Sequence, residues 1–157
     1  MSSEILGKGG KVPKDEILEF HTDGKKSLFK DLRAKVLNAW KNNRQAEFKN
    51  ENNGIVAQIS NDGIGKMISP KAVDKSIKNK FSKEAHFLGV ENAGKLFEKA
   101  KFSHSEAPRN QTPDIIAYHK YYAKANFDGK PSNVKLTLKE SIEAGHKIYS
   151  LELLEIE

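Results

Sequence analysis

The sequence contains no cysteine, which excludes disulfide frameworks, thiolate metal sites and thiol catalysis. Arginine is also scarce, with Arg33, Arg44 and Arg109 the only ones among 27 basic residues. Because bidentate recognition of bases and phosphates favours arginine, the charge predicts a diffuse field and not base-specific contacts. Apolar runs are far shorter than the ~20 residues that span a bilayer, so no membrane partner is expected.

The composition is that of one folded domain with a basic surface. Of its 157 residues 37% are hydrophobic and 31% charged, within the globular range. The net charge of +6 and the pI near 9.3 favour a polyanionic partner, since each neutralised phosphate of a nucleic acid releases a counterion. A lysine-rich surface also serves plain solubility, which stays open as an alternative.

The first half of the sequence predicts helices after a tail. Residues 1–24 are glycine- and lysine-rich and are predicted to form a flexible linker or arm before a single domain at 25–157. Apolar residues from Ser27 to Trp40 recur at helical spacing, and Gly54–Ser60 is β-prone before a turn at residues 61–63. Two further helical pieces follow, the first opened by Pro70 and the second separated from it at Gly89.

The last third of the sequence changes to a β period. A polar loop at 103–114 is predicted to precede a strand at 115–127, a turn at 128–131 and an alternating strand at 133–139. A third run, His146 to Ile156, completes an antiparallel meander. The predicted class is α+β, with N-terminal helices packed on a C-terminal antiparallel sheet.

The strong catalytic motifs are missing. No phosphate-binding loop, zinc-protease motif or serine-hydrolase elbow occurs, and Gly63-Ile64-Gly65-Lys66 lacks the third glycine of a nucleotide fingerprint. The histidines have no paired ligand spacing, so neither a cofactor nor a metal is predicted. Histidine, lysine, tyrosine and threonine remain, and such groups can cleave RNA without a metal. A base deprotonates the 2′-OH, a cation stabilises the phosphorane and an acid protonates the leaving oxygen.

Several stretches from about residue 50 to 156 resemble the phage-borne nuclease domains of the barnase, EndoU, colicin and RelE group, toxin modules of large phage polyvalent proteins and bacterial polymorphic toxins. The most characteristic part is the hairpin with Val134-Lys135-Leu136-Thr137 and the tyrosine of the last strand. The remaining stretches are residues 63–66, 91–100, 118–123 and 127–130. The resemblance implies a helix-then-sheet fold, RNA as the usual substrate and no metal requirement.

Five residues are the catalytic candidates: His86, Lys66, His119, Thr137 and Tyr149. As base or acid, His86 is the first histidine to test, and the alternative is a capping or buried histidine. Lys66 follows the first strand as a point charge for phosphate. Thr137 is expected to share a polar sheet face with His119 across the hairpin, whereas the alternative is a solvated face. Tyr149 matches a family-like position, and packing is its alternative.

A second set is predicted to bind RNA electrostatically and by stacking. The lysines around the first helical piece form a cationic run, and those of the hairpin flank Thr137 on one face, which also is expected to carry an aromatic residue for stacking. The alternative for the lysines is a solvated surface. The predicted RNA-binding residues are Lys71, Lys75, Lys78, Lys80, Lys135, Lys139 and Tyr121.

The leading hypothesis is a metal-independent endoribonuclease toxin domain that leaves a 2′,3′-cyclic phosphate. Its expected partners are RNA, with tRNA among the candidates, and a cognate immunity or antitoxin protein. It would act in the cytoplasm after delivery as part of a larger phage or secreted protein. The alternative is a basic nucleic-acid- or protein-binding module without catalysis, and a catalytically silent member of the group is a third possibility.

Overall fold

The computed structural model describes residues 16–42, 46–110 and 112–157, and within them five helices precede the longest strands of one sheet. The elements in chain order are β1 (Leu18–Phe20), α1 (Phe29–Trp40), β2 (Ala46–Lys49), β3 (Val56–Ile59), α2 (Asn61–Met67), α3 (Pro70–Lys78), α4 (Lys83–Glu91), α5 (Ala93–Lys99), β4 (Lys101–Glu106), β5 (Ile115–Phe127), β6 (Lys130–Glu143) and β7 (His146–Ile156).

The seven strands form a single sheet in the order β1-β5-β6-β7-β3-β2, with β4 also paired to β5. The long strands β5, β6 and β7 make an antiparallel meander, while β1 and β3 join β5 and β7 in parallel. The predicted α+β class is therefore confirmed, and the predicted bounds of β5 and β7 agree with those observed.

Two tight turns set the register of the meander. Asp128 and Gly129 have φ of 52° and 80°, and Ala144 and Gly145 have φ of 51° and 81°. Two consecutive residues with positive φ are the requirement of a type I′ hairpin turn, whose twist matches that of the strands. The register that follows pairs Tyr121 with Leu136.

The two faces of the meander have different roles. Tyr121 and Leu136 are buried and belong to the hydrophobic core, which lies between this face and the helices. Because side chains alternate along a strand, their neighbours Lys120 and Thr137 point to the opposite face, where they form a cross-strand pair. A bulge between β6 and β7 leaves Glu152 without a direct partner in the register.

Serine side chains cap three of the helices. The Oγ atoms of Ser60, Ser69 and Ser82 accept hydrogen bonds from the backbone N–H three residues later at 3.0, 3.2 and 3.0 Å. Pro70 occupies the first turn of α3, where its missing N–H costs nothing. These caps begin α2, α3 and α4 at fixed residues.

The predicted linker at 1–24 is partly wrong. Residues 1–15 lie outside the described residues, but Leu18–Phe20 pair with β5, and Leu18 and Phe20 are buried in the core. The side chain of Asp128 accepts hydrogen bonds from the N–H and the hydroxyl of Thr22 at 2.9 and 2.8 Å. Alternating burial over three residues is too short a signal to distinguish a strand from a tail.

Three other local predictions are corrected. Residues 61–63 open helix α2 instead of forming a turn, because the cap at Ser60 outweighs the turn tendency of Asn-Asp-Gly. Gly89 lies inside α4, and the helix ends at Glu91. The predicted loop at 103–114 begins as strand β4, whose residues are all exposed and so lack an alternating pattern.

Candidate functional site

A basic pocket with a volume of about 460 Å³ lies on the face of β5, β6 and β7 that carries Lys120 and Thr137. Helices α2 and α3 and the segment after β4 form its other walls. Its basic side chains are Lys66, Lys71, Lys75, Arg109, Lys120 and Lys135, and its acidic ones are Glu106, Glu152 and Glu155. Six basic against three acidic groups leave a net positive lining.

Helix α3 is fixed to the edge of β7, and this places its lysines at the pocket. The Oγ of Ser76 accepts a hydrogen bond from the N–H of Ile156 at 3.0 Å, and the amide of Asn79 donates to the carbonyl of Ile156 at 2.9 Å. These side chains take the place of a neighbouring strand there. Lys71 and Lys75 then line the pocket.

Helix α2 approaches β7 closely because residue 63 is glycine. A Cβ at Gly63 would lie 2.3 Å from the carbonyl oxygen of Leu151, so any side chain would push the helix away. This approach lets Lys66 form an ion pair with the buried Glu152, which also lies 3.4 Å from Lys139. The hydrogen bond to Glu152 outweighs burial and raises the pKa of Lys66.

Lys120 is the most enclosed cation of the pocket. Its side chain is only 15% exposed, and its Nζ donates a hydrogen bond to Thr137 Oγ1 at 2.9 Å. Burial lowers its pKa, and the neighbouring charges of Lys135 and Lys75 lower it further, against the opposing effect of Glu106 at 4.0 Å. Lys120 therefore releases its proton more easily than an ordinary lysine.

The other basic residues of the pocket divide into paired and unpaired groups. Lys135 lies 3.7 Å from Glu155 and 3.3 Å from Glu157, and although burial lowers its pKa, these carboxylates raise it overall. Among the residues that the structure describes, Lys71, Lys75 and Arg109 make no ion pair, and they line the same pocket. Their charges are available to an anionic ligand.

The pocket collects five of the predicted site residues: Lys66, Lys71, Lys75, Lys135 and Thr137. Lys139 is linked to it through Glu152. Lys78 instead forms an ion pair with Asp74 at 3.2 Å, and neither Lys78 nor Lys80 lines the pocket. The lysines of α3 are spread around the helix, so only some of them face the pocket, and Lys80 lies beyond the last residue of α3.

His86 does not reach the pocket. It is fully buried, with Nδ1 2.7 Å from Ser76 Oγ and Nε2 2.7 Å from the carbonyl oxygen of Met67. Burial lowers its pKa despite the hydrogen bond to Met67. Both ring nitrogens are bonded to protein groups, so the structure gives His86 a structural role in place of the predicted catalytic one.

His119, Tyr121 and Tyr149 also lie away from the pocket. The cross-strand partner of Thr137 is Lys120, so His119 and Tyr121 point to the other face, and the expected shared face is wrong. Tyr121 is 2% exposed, accepts a hydrogen bond from Asn53 at 2.8 Å and packs in the core. The rings of His119 and Tyr149 neighbour each other at 6.3 Å.

Sequence reasoning missed Lys120, Tyr118 and Arg109 as lining residues. The signal for the first two was the strand alternation of β5 combined with the hairpin register, since Tyr118 and Lys120 pair with Lys139 and Thr137. Arg109 follows β4 in an irregular segment, for which the sequence offers no positional signal.

None of the helices in residues 16–42, 46–110 and 112–157 is long and apolar enough to cross a membrane. In the same residues, no three His, Asp or Glu side chains are grouped so as to hold a metal ion.

A family model described as large polyvalent protein-associated domain 3 matches residues 28–149. The chain belongs to this family. The match extends from the start of α1 into β7 and so includes most elements of the pocket. It supports the association with phage and polymorphic proteins that the sequence resemblance implied, at the level of the domain family. Neither a curated protein nor a solved structure matches the chain.

Proposed function

We propose that the domain is a metal-independent endoribonuclease and that the basic pocket holds the phosphate it cleaves. The observation that carries the proposal is Lys120, an enclosed amine bonded to Thr137 in a pocket lined by five further cations. A phosphodiester needs positive charge around its oxygens, and its cleavage through the 2′-OH needs a group that takes a proton.

Residues of the pocket, and not the predicted histidines, take the catalytic roles in this proposal. Lys120 acts as general base, since its lowered pKa makes the neutral amine more accessible, and Thr137 orients the amine as its hydrogen-bond acceptor. Lys71, Lys75 and Arg109 bind the phosphate oxygens and stabilise the phosphorane.

Tyr118 is the proposed general acid. It lines the pocket on the same face of β5 as Lys120, and its hydroxyl can donate a proton to the leaving 5′-oxygen. The product is a 2′,3′-cyclic phosphate and a 5′-hydroxyl end.

The family match supports a role for this activity within a larger phage-associated protein. A domain associated with large polyvalent proteins would act as a toxin module of a larger polypeptide, in the cytoplasm of the target cell after delivery. RNA, tRNA included, is its proposed substrate, and a cognate immunity or antitoxin protein its proposed second partner. Expression of the wild-type domain alone should then arrest growth.

A non-catalytic polyanion-binding module is the second candidate. It is favoured by Lys71, Lys75 and Arg109, which make no ion pair with the residues that the structure describes and would bind phosphate whether or not Lys120 loses its proton. Binding would be salt-dependent and would give no product.

The test is incubation of the purified chain with total RNA in excess EDTA, beside a heat-denatured control. Discrete fragments ending in 2′,3′-cyclic phosphate are expected from the native protein only. Intact RNA together with salt-dependent binding would overturn the proposed nuclease activity and support the binding module. Fragments that require added metal would contradict the proposed mechanism.

A further inference from the structure

A serine, a histidine and a glutamate are connected on the side of the sheet opposite the pocket. Ser105 of β4 and His119 of β5 are cross-strand partners, with Ser105 Oγ 2.6 Å from His119 Nδ1. On the other side of the ring, His119 Nε2 lies 2.8 Å from a carboxylate oxygen of Glu140. The three side chains come from three adjacent strands.

The ionisation of Glu140 determines which ring nitrogen of His119 carries the proton. Burial raises the pKa of this carboxyl, but hydrogen bonds from His119 and Lys147 outweigh burial and hold the pKa below its usual range. An ionised carboxylate only accepts, so Nε2 of His119 carries the proton. Nδ1 then presents its lone pair to the hydroxyl of Ser105, which donates to it.

We propose that Ser105 is a nucleophile for acyl groups, activated by His119 as general base and with Glu140 as the residue that positions the ring. The connectivity is that of a serine hydrolase triad with the two ring nitrogens exchanged, and such triads are defined by geometry and roles. The site is separate from the pocket and does not depend on the proposed ribonuclease activity.

An accessible serine beside an enclosed histidine and carboxylate distinguishes this cluster from the two other serine–histidine contacts among the described residues. Ser76 bonds His86 in the same way, but both are buried and no reagent can reach them. Ser105 lies on β4, whose residues are all exposed, while the side chain of His119 is 18% exposed and so held in place. An activated serine that solvent reaches is the requirement for covalent catalysis.

The reaction requires only the three side chains, an ester substrate and water. Ser105 Oγ attacks the carbonyl carbon, and its proton passes to Nδ1 of His119. The C–O bond of the ester breaks, and the leaving alcohol takes that proton. Water, deprotonated by His119, then releases the acid and restores Ser105. Throughout, Glu140 stabilises the positively charged ring.

A fluorophosphonate probe tests the nucleophile directly, because attack by Oγ forms an O–P bond and expels fluoride. The native protein should be labelled at Ser105, as read by mass spectrometry of its peptides, and heat-denatured protein should not. Ser105→Ala should abolish the label and His119→Gln should slow it about 100-fold, the contribution of a general base. Glu140→Gln should give an intermediate rate.

Ser103 is the matched control. It lies on the same exposed strand and has the same connectivity, with its Oγ 3.0 Å from Nδ1 of His104 and Nε2 of His104 3.1 Å from Glu106. The side chains of His104 and Glu106 are 50% and 54% exposed, so this histidine is not held in place as His119 is. Ser103→Ala should label within twofold of the native rate, and Ser105→Ala should keep native RNA cleavage. Circular dichroism melts show whether His119→Gln folds, and if it does not, the two serine variants decide. Absence of native labelling, or equal labelling of Ser105→Ala, overturns the proposal.

Discussion

Lys120 and His86 are both ionisable groups whose pKa is lowered first by burial, and they have opposite places in the molecule. Lys120 ends in a pocket beside other cations and bonds one hydroxyl. His86 is sealed, with both ring nitrogens bonded to protein groups. A shifted pKa therefore indicates chemistry only where the group can meet a ligand, and otherwise it records the cost of burial.

The site around His86, the sealed site, nevertheless supports the pocket around Lys120, the open site. The ring of His86 joins α4 to α2 through Met67 and to α3 through Ser76, and the same Ser76 hydroxyl accepts from the backbone of β7. This network holds α3, with its pocket lysine Lys75, against the sheet. A change at the open site should lower the cleavage rate, whereas a change at the sealed site should mainly lower the free energy of unfolding.

The largest expected effect is on the open site. Lys120→Arg keeps the positive charge but has no accessible neutral form, so it should bind RNA and cleave it at least about 100-fold more slowly. Single-turnover assays with RNA in EDTA measure the rate, and filter binding measures affinity. In the wild type the rate should rise with pH through the lowered pKa of Lys120, below the usual lysine value.

Lys78→Arg is the control for that substitution. Lys78 lies on α3 outside the pocket lining and pairs with Asp74, so the rate should stay within twofold of wild type. Equal loss in both variants, or full activity in Lys120→Arg, would show that the pocket amine is not the base.

The next largest effect is on the sealed site. His86→Ala removes two buried hydrogen bonds and leaves a cavity, so it should lower the free energy of unfolding by about 3 kcal/mol. Urea denaturation measures this, with the exposed His146→Ala as control, expected within about 0.5 kcal/mol of wild type. Cleavage per folded molecule should fall far less than in Lys120→Arg, because Ser76 and Asn79 still bond to Ile156 of β7. Loss of cleavage with unchanged stability would reverse the assignment.

A pH dependence of stability should also come from His86. Its pKa is lowered in the folded state, so below the unfolded value of about 6.5 the unfolded chain binds the proton first. Stability is therefore present above that value and is lost as the pH falls towards the folded pKa, by at most about 1.4 kcal/mol per pH unit. Urea midpoints from pH 7 to 5 should show this loss in wild type. In His86→Gln the free energy of unfolding should fall less steeply over this pH range. An identical pH dependence in the two proteins would refute the contribution of His86.

The smallest effect separates two lysines of one helix. Lys75 lines the pocket and makes no ion pair among the described residues, whereas Lys78 lies outside the pocket lining and pairs with Asp74. Lys75→Ala should weaken RNA binding and reduce the slope of log affinity against log salt by about 1, as loss of one phosphate contact does. Lys78→Ala should leave the slope unchanged. Equal slopes for both would place RNA on the outer face of α3.

The long, strongly patterned elements were predictable from sequence. Helix α1 and strands β5 and β7 follow clear periods, and Asp128-Gly129 fixes the hairpin turn. The short strands β1 and β4 were not, because they are defined by tertiary pairing to β5 and not by their own pattern. Local sequence contains no information about these pairings, which join Leu18 to Ala125 in one case and Lys101 to Tyr122 in the other.

The candidate site was predictable in its lysines and in Thr137 but not in its central residue. The alternation of β6 placed Lys135, Thr137 and Lys139 on one face correctly, but the residue opposite Thr137 depended on the register. A shift of one residue replaces His119 by Lys120 and moves the histidine to the other face. For His86, helical position alone could not distinguish a sealed side chain from one that reaches a pocket.

The central claim is that the pocket around Lys120 is where RNA binds. Nuclear magnetic resonance of lysine side chains labelled with ¹³C and ¹⁵N, titrated with a 2′-deoxy oligonucleotide that cannot be cleaved, tests it directly. The account predicts that the signals of Lys75, Lys120 and Lys135 shift together while that of Lys78 stays in place. Shifts at Lys78 with an unchanged Lys120 would contradict it.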